Sequence, residues 1–148
     1  MNPNGSRQLA LAMLLAMSLP AFAWEGAEWG DLAEARTIEV LTHDEDGDLR
    51  ETTIWVVVVD GAAYINTNAT TWGENVERTP RLDVRQAGST RRFEIRFLEE
   101  EDERHRVQQA FRAKYGFQDK LLGLFMDESK ATIMELVDPQ SGTRREAR

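Results

Sequence analysis

Cysteine is absent from the 148 residues, proline occurs only four times, and histidine and tyrosine twice each. Without a thiol there is no disulfide framework, no thiolate zinc site, no Cys nucleophile and no thiol-linked lipid anchor. Positive charge is also short. Eighteen Lys plus Arg stand against 26 Asp plus Glu, a formal net charge of −8. Non-specific nucleic-acid binding needs surplus Lys and Arg to neutralise phosphates, so no nucleic-acid partner is expected. Long apolar runs are missing too. The stretch from Leu9 to Leu19 falls short of the roughly 20 residues a membrane-spanning helix requires. What remains is 41% hydrophobic and 30% charged residues, a globular balance in a chain long enough for one domain.

The first residues read as a leader. Arg7 is the only charge before Glu25, Leu9–Leu19 is an apolar core, Pro20 breaks it, and Ala21-Phe22-Ala23 is an A-x-A cleavage pattern. Together these predict a secretory signal peptide over 1–23, with a periplasmic or secreted mature chain and no membrane span after cleavage. The alternatives are a buried N-terminal helix or an uncleaved anchor. Residues 24–36, polar with two tryptophans, form a short helix or loose lead-in. A barrel domain is expected over 37–137 and a polar, disordered tail over 138–148.

Within the domain, Thr37–Thr42 alternates as a strand and Asp44–Asp48 is a turn around Asp46-Gly47. Thr52–Val59 is the most apolar segment, with Ile54–Val59 apolar on both faces, which predicts a central strand covered on both sides. Asp60-Gly61 turns the chain into a partner strand, Ala62–Thr67. Trp72, Val76 and Thr79 sit at helical spacing before Pro80. Leu82 and Val84 mark another strand. Phe93, Ile95 and Phe97 alternate with Arg92, Glu94 and Arg96 in the next, a half-buried pattern. Glu99–Tyr115 is the clearest helix, acidic at its start and basic at its end, with Gly116 as its stop. A second short helix is expected over Asp119–Phe125 and a last strand over Thr132–Val137. The class is mostly β with helices, α+β.

Two stretches carry a resemblance. Trp72-Gly73-Glu74-Asn75-Val76-Glu77-Arg78-Thr79-Pro80-Arg81-Leu82-Asp83-Val84-Arg85 is similar to a W-x-x-N-hydrophobic-x-x-x-P pattern of deazaflavin-dependent nitroreductase-like families. Phe111-Arg112-Ala113-Lys114-Tyr115-Gly116 resembles an A/F-x-x-K-Y stretch of related uncharacterised families. With the element order, these resemble the split β-barrel of the pyridoxamine 5'-phosphate oxidase-like superfamily over about residues 36–137. The resemblance implies a homodimer that binds FMN, a deazaflavin or haem near the dimer interface, with oxidoreductase activity. It places Arg50, Thr67, Asn68, Thr70, Trp72, Asn75 and Arg78 around the cofactor. Hydroxyls and helix-start amides would hold phosphate, arginine would neutralise it, and Trp72 would offer a flat wall. Deazaflavin-using members carry basic residues in the first hairpin turn, whereas this chain has His43-Asp44-Glu45-Asp46-Gly47-Asp48. A cofactor-free binding or interaction module is the alternative.

Other constellations are weaker. Asp44, Asp46 and Asp48 have calcium-loop spacing, but glycine falls at the fourth position and Trp55 at the twelfth, so a solvated turn is the simpler reading. His43 and His105 are too isolated to predict a metal site, and Ser89, Ser129 and Ser141 lack a nucleophile elbow. Arg78, Arg81, Arg85, Arg91, Arg92 and Arg96 could face an anion or pair across strands with carboxylates.

Overall fold

The computed structural model describes residues 30–122 and 131–139. The leader expected over 1–23, Trp24, Trp29, Ser129 and most of the expected tail lie outside them. Among the described residues three helices, α1 (Gly30–Glu34), α2 (Thr71–Arg78) and α3 (Glu101–Leu122), accompany seven strands. The strands are β1 (Ile38–His43), β2 (Leu49–Ile54), β3 (Val57–Val59), β4 (Ala62–Thr67), β5 (Arg81–Gln86), β6 (Ser89–Phe97) and β7 (Thr132–Val137).

All pairings are antiparallel, in the order β2-β1-β5-β6-β7-β4-β3. The strands at the two ends of this order, β2 and β3, are neighbours in the chain, separated only by Trp55-Val56. In a flat sheet with ~4.8 Å between strands they would lie roughly 30 Å apart. Two linking residues reach about 11 Å. The sheet therefore curls until its ends meet, and the result is a split β-barrel of α+β class.

The long strand expected over Thr52–Val59 is thus two strands, and neither is central. β2 and β3 are the opposite ends of the sheet. The segment is apolar on both faces because it crosses the seam, where Val56 and Val57 are almost wholly buried.

Side-chain alternation divides the core in two. Val40, Ala63, Ile65, Val84, Phe93, Met134 and Leu136 pack inside the barrel with Leu32 of α1 and with Trp72 and Val76 of α2. Tyr64 and Ile133 point outward from β4 and β7 and, with Val57, are covered by Val107, Phe111 and Tyr115 of α3. Phe93 and Ile95 of β6 face inward while Arg92, Glu94 and Arg96 do not, as the period-two pattern predicts. The tight turns after β3 and β5 put Asp60-Gly61 and Ala87-Gly88 at positive φ, the backbone that two-residue hairpins demand.

The helix stop expected at Gly116 does not occur, because α3 continues to Leu122. One helical glycine costs only about 1 kcal/mol, so a glycine without a chain reversal after it does not end a helix. The start of the second helix, expected at Asp119, is therefore the last turn of α3, and residues 123–125 lie outside the described part.

Candidate functional site

The loop that enters α2 is held by its own hydroxyls. Thr67 Oγ1 donates to the Asn68 carbonyl (2.8 Å) and lies 2.6 Å from Thr70 Oγ1. With the Thr67 proton spent, Thr70 donates to Thr67. Thr70 Oγ1 in turn accepts from the Gly73 amide at 3.2 Å and caps the helix. Glycine is required at 73, since a Cβ there would stand 2.9 Å from Thr67 Cγ2. Asn68 Oδ1, by contrast, is buried with no hydrogen-bond partner among the described residues. Trp72 is 6% exposed and packs in the barrel core.

One turn further, Asn75 pins α2 to the first hairpin. Its Nδ2 donates to Asp44 Oδ1 (2.7 Å) and Thr42 Oγ1 (3.1 Å), and its Oδ1 accepts from Arg78 Nη2 (2.6 Å). Asp44 also takes a fork from Arg50, with Nε at 2.7 Å and Nη2 at 2.6 Å. The Arg50 guanidinium, helped by Asn75, holds the Asp44 carboxyl at about 2, well below the usual carboxylate range. Arg78 reaches on to the His43 carbonyl (3.3 Å) and Glu45 (3.4 Å).

The seven residues expected around a cofactor therefore separate. Asn75, Arg78 and Arg50 meet in one network with Asp44, whereas Thr67, Asn68 and Thr70 stand at the opposite end of α2 and Trp72 lies beneath. Beside Asn75 a cleft of about 220 Å³ opens between β1, β5 and the end of α2, lined by Leu41, Thr42, His43, Thr79, Arg81, Leu82, Asp83 and Arg92.

A family model for uncharacterized proteins conserved in bacteria, DUF2255, matches residues 28–136. The chain belongs to this family. No curated protein matches it. Among solved structures it is similar to a conserved hypothetical protein of Mycobacterium tuberculosis, at 22% identity and a TM-score of 0.55, covering 74% of this chain and 77% of that one. It is also similar to a FAD-binding protein of Mesorhizobium loti (11%, TM-score 0.54, 73% and 84% covered). A NimC/NimA family protein of Clostridium acetobutylicum gives 14% and 0.53, with 72% and 77% covered. At these identities the likeness establishes the fold, and function is argued from the site.

In this DUF2255 chain the Lys114-Tyr115 pair has a visible task. Lys114 Nζ donates to the carbonyls of Ala33 (3.0 Å), Ala35 (2.7 Å) and Val56 (2.8 Å), which uses all three ammonium protons. Burial pushes its pKa down. The Tyr115 hydroxyl accepts from the Val56 amide (3.2 Å) and lies 2.8 Å from the Val56 carbonyl and 3.0 Å from that of Arg36. Trp55 stacks on Tyr115 with ring centroids 4.5 Å apart and planes 2° from parallel. The pair fastens α3 to the seam between β2 and β3.

The arginines largely pair across strands. Arg85 meets Glu39 and Glu51, Arg92 meets Asp83, Arg96 meets Glu103 and Glu135, and Arg91 meets Asp138. Arg81 has no ion-pair partner among the described residues. Thr42 and the seam role of Lys114 were not legible from spacing alone, whereas Arg81 stood among the arginines that could face an anion and Asp44 was read as part of a solvated turn. Asn75 and Asp44 lie 31 residues apart, and Lys114 and Ala33 lie 81 apart.

Proposed function

We propose that this chain binds a flavin-type cofactor, FMN or a deazaflavin, at the loop 67–72 and acts as an exported, homodimeric oxidoreductase. The observation that carries this reading is Asn68 Oδ1. A buried acceptor without a donor costs about 1–3 kcal/mol, and a ligand N–H or O–H supplies what the protein does not. The likeness in fold to a FAD-binding protein supports the same reading. Asn68 would accept from the cofactor. Arg78 and Arg50, at the far end of α2, would reach its anionic end only by leaving Glu45 and Asp44. A flavin brings reversible electron and hydride transfer; the chain contributes the buried acceptor and the rigid barrel wall behind it.

Titration of the purified full chain with FMN and FAD, followed by quenching of flavin fluorescence, tests this. Saturable quenching in the wild type, weakened about tenfold in Asn68→Ala, is expected for one lost hydrogen bond. Equal quenching in the variant, or none in either, overturns it. Export is tested separately by the N-terminal mass of the secreted protein, expected to begin at Trp24.

The second reading, a cofactor-free interaction module, is favoured by the internal neutralisation of Arg50 and Arg78, which leaves neither of them free for a cofactor phosphate. A wild type that binds no flavin yet sediments as a defined dimer or hetero-complex supports it.

A further inference from the structure

The cleft beside the end of α2 belongs to neither reading, and its unused donors are specific. The Asn75 amide is fixed in one orientation, because the opposite one would set Oδ1 against the Asp44 carboxylate and the NH2 group against Arg78. Nδ2 therefore donates to Thr42 Oγ1, and the Thr42 proton must go elsewhere. Among the described residues no acceptor takes it. Thr42 is only 4% exposed and lines the cleft, so the cleft is where that donor finds a partner.

Charge points the same way. Asp83 on the cleft wall is matched by Arg92, whose Nε and Nη2 reach its two oxygens at 2.8 and 3.2 Å. Arg81 is exposed on the same wall. Glu94 stands opposite it across β5 and β6 but makes no ion pair with it. The cleft thus carries the surplus positive charge of Arg81. The C-terminal carbonyls of α2 oppose an anion here. The Thr79 amide engages the Asn75 carbonyl among them (2.9 Å), and Arg78 in the last turn offsets the rest. A cleft of about 220 Å³ lies below the roughly 300–1,000 Å³ of sites for larger ligands, so it suits a group of a few heavy atoms.

We propose that this cleft is a binding site for a small oxyanion, a carboxylate or phosphate group, held by the Arg81 guanidinium and by the Thr42 and Thr79 hydroxyls. Arg81 provides the charge and the forked donors that planar oxyanions accept. Thr42 provides an oriented donor whose direction is set by Asn75 and, through it, by Asp44 and Arg50. The site is independent of the flavin reading, which rests on the other end of α2.

The test titrates the full chain with inorganic phosphate and, separately, with succinate. Sodium chloride holds ionic strength constant, and backbone amide shifts and the thermal midpoint are followed. Saturable shifts at Thr42, Thr79 and Arg81 are expected with at least one of the two anions, and which one responds assigns the class. Arg81→Ala should weaken binding about tenfold, the size of one charge-assisted contact. Thr42→Ser should retain binding and Thr42→Val should lose it. Arg85→Ala, which removes the same charge from an exposed ion pair, should leave binding unchanged. If Thr42→Val does not fold, Thr42→Ser and Arg81→Ala decide. Shifts reproduced by chloride alone, no response to either anion, or unchanged binding in Arg81→Ala would overturn the proposal.

Discussion

At the scale of single residues, donors and acceptors are counted out closely, and position matters more than residue type. Lys114 is half-buried on α3, which would ordinarily be costly, yet each of its three protons meets a carbonyl and two of those carbonyls end α1. A lysine at a helix C-terminus also suits the dipole. Lys114→Met keeps the length of the side chain and leaves those carbonyls without the ammonium. The expected result is a loss of about 1–3 kcal/mol, measured by urea unfolding with an unchanged slope. Little of this was legible beforehand. The Lys114-Tyr115 stretch was visible as a resemblance, but its role depends on carbonyls of α1 and of the seam, and a main-chain acceptor leaves no mark on residue identity. The same holds for Asn75, whose importance follows from Thr42 and Asp44 rather than from its neighbours in sequence.

At the scale of elements, periodicity carried most of the information. The alternation in β6, the helical spacing before Pro80 in α2 and the acidic first turn of α3 each followed from local chemistry, and only the far end of α3 departed from it. Reading failed where one signal had two physical causes. An apolar run on both faces marks a central strand or a strand that bends across a closing seam, and Ile54–Val59 is the second kind. A glycine marks a helix end or merely a tolerated interior residue, and Gly116 is the second kind. Nothing lies within 4 Å of a Cβ added at Gly116. Gly116→Ala should therefore stabilise the protein by about 0.5–1 kcal/mol through helix propensity, seen as a higher thermal midpoint and slightly more helical circular dichroism. A loss of stability would mean that α3 is interrupted there.

At the scale of the whole molecule, the barrel was legible from element order, whereas the partners of the candidate site residues were not. The fold needs only strands of the right pattern in the right sequence, whereas the site needs side chains from hairpin, helix and sheet to converge. The topology also grades local stability. β6 and β7 lie in the middle of the sheet order with a hydrogen-bonded partner on each side, while β2 is an end strand with a largely exposed pattern. Native-state amide exchange should accordingly be slowest at Ile95, Ile133, Met134 and Leu136 and fastest in β2. Equal protection of β2 and β7 would contradict the order of the sheet.

The place of β7 has a consequence for biosynthesis. β7 is the strand that joins β6 to β4, so it links the two halves of the wall. Without β7 the piece β2-β1-β5-β6 and the β3-β4 hairpin are not hydrogen-bonded to each other, and β4 and β6 each lack a neighbour. The barrel wall of a nascent chain is therefore incomplete until residue 137 has been made.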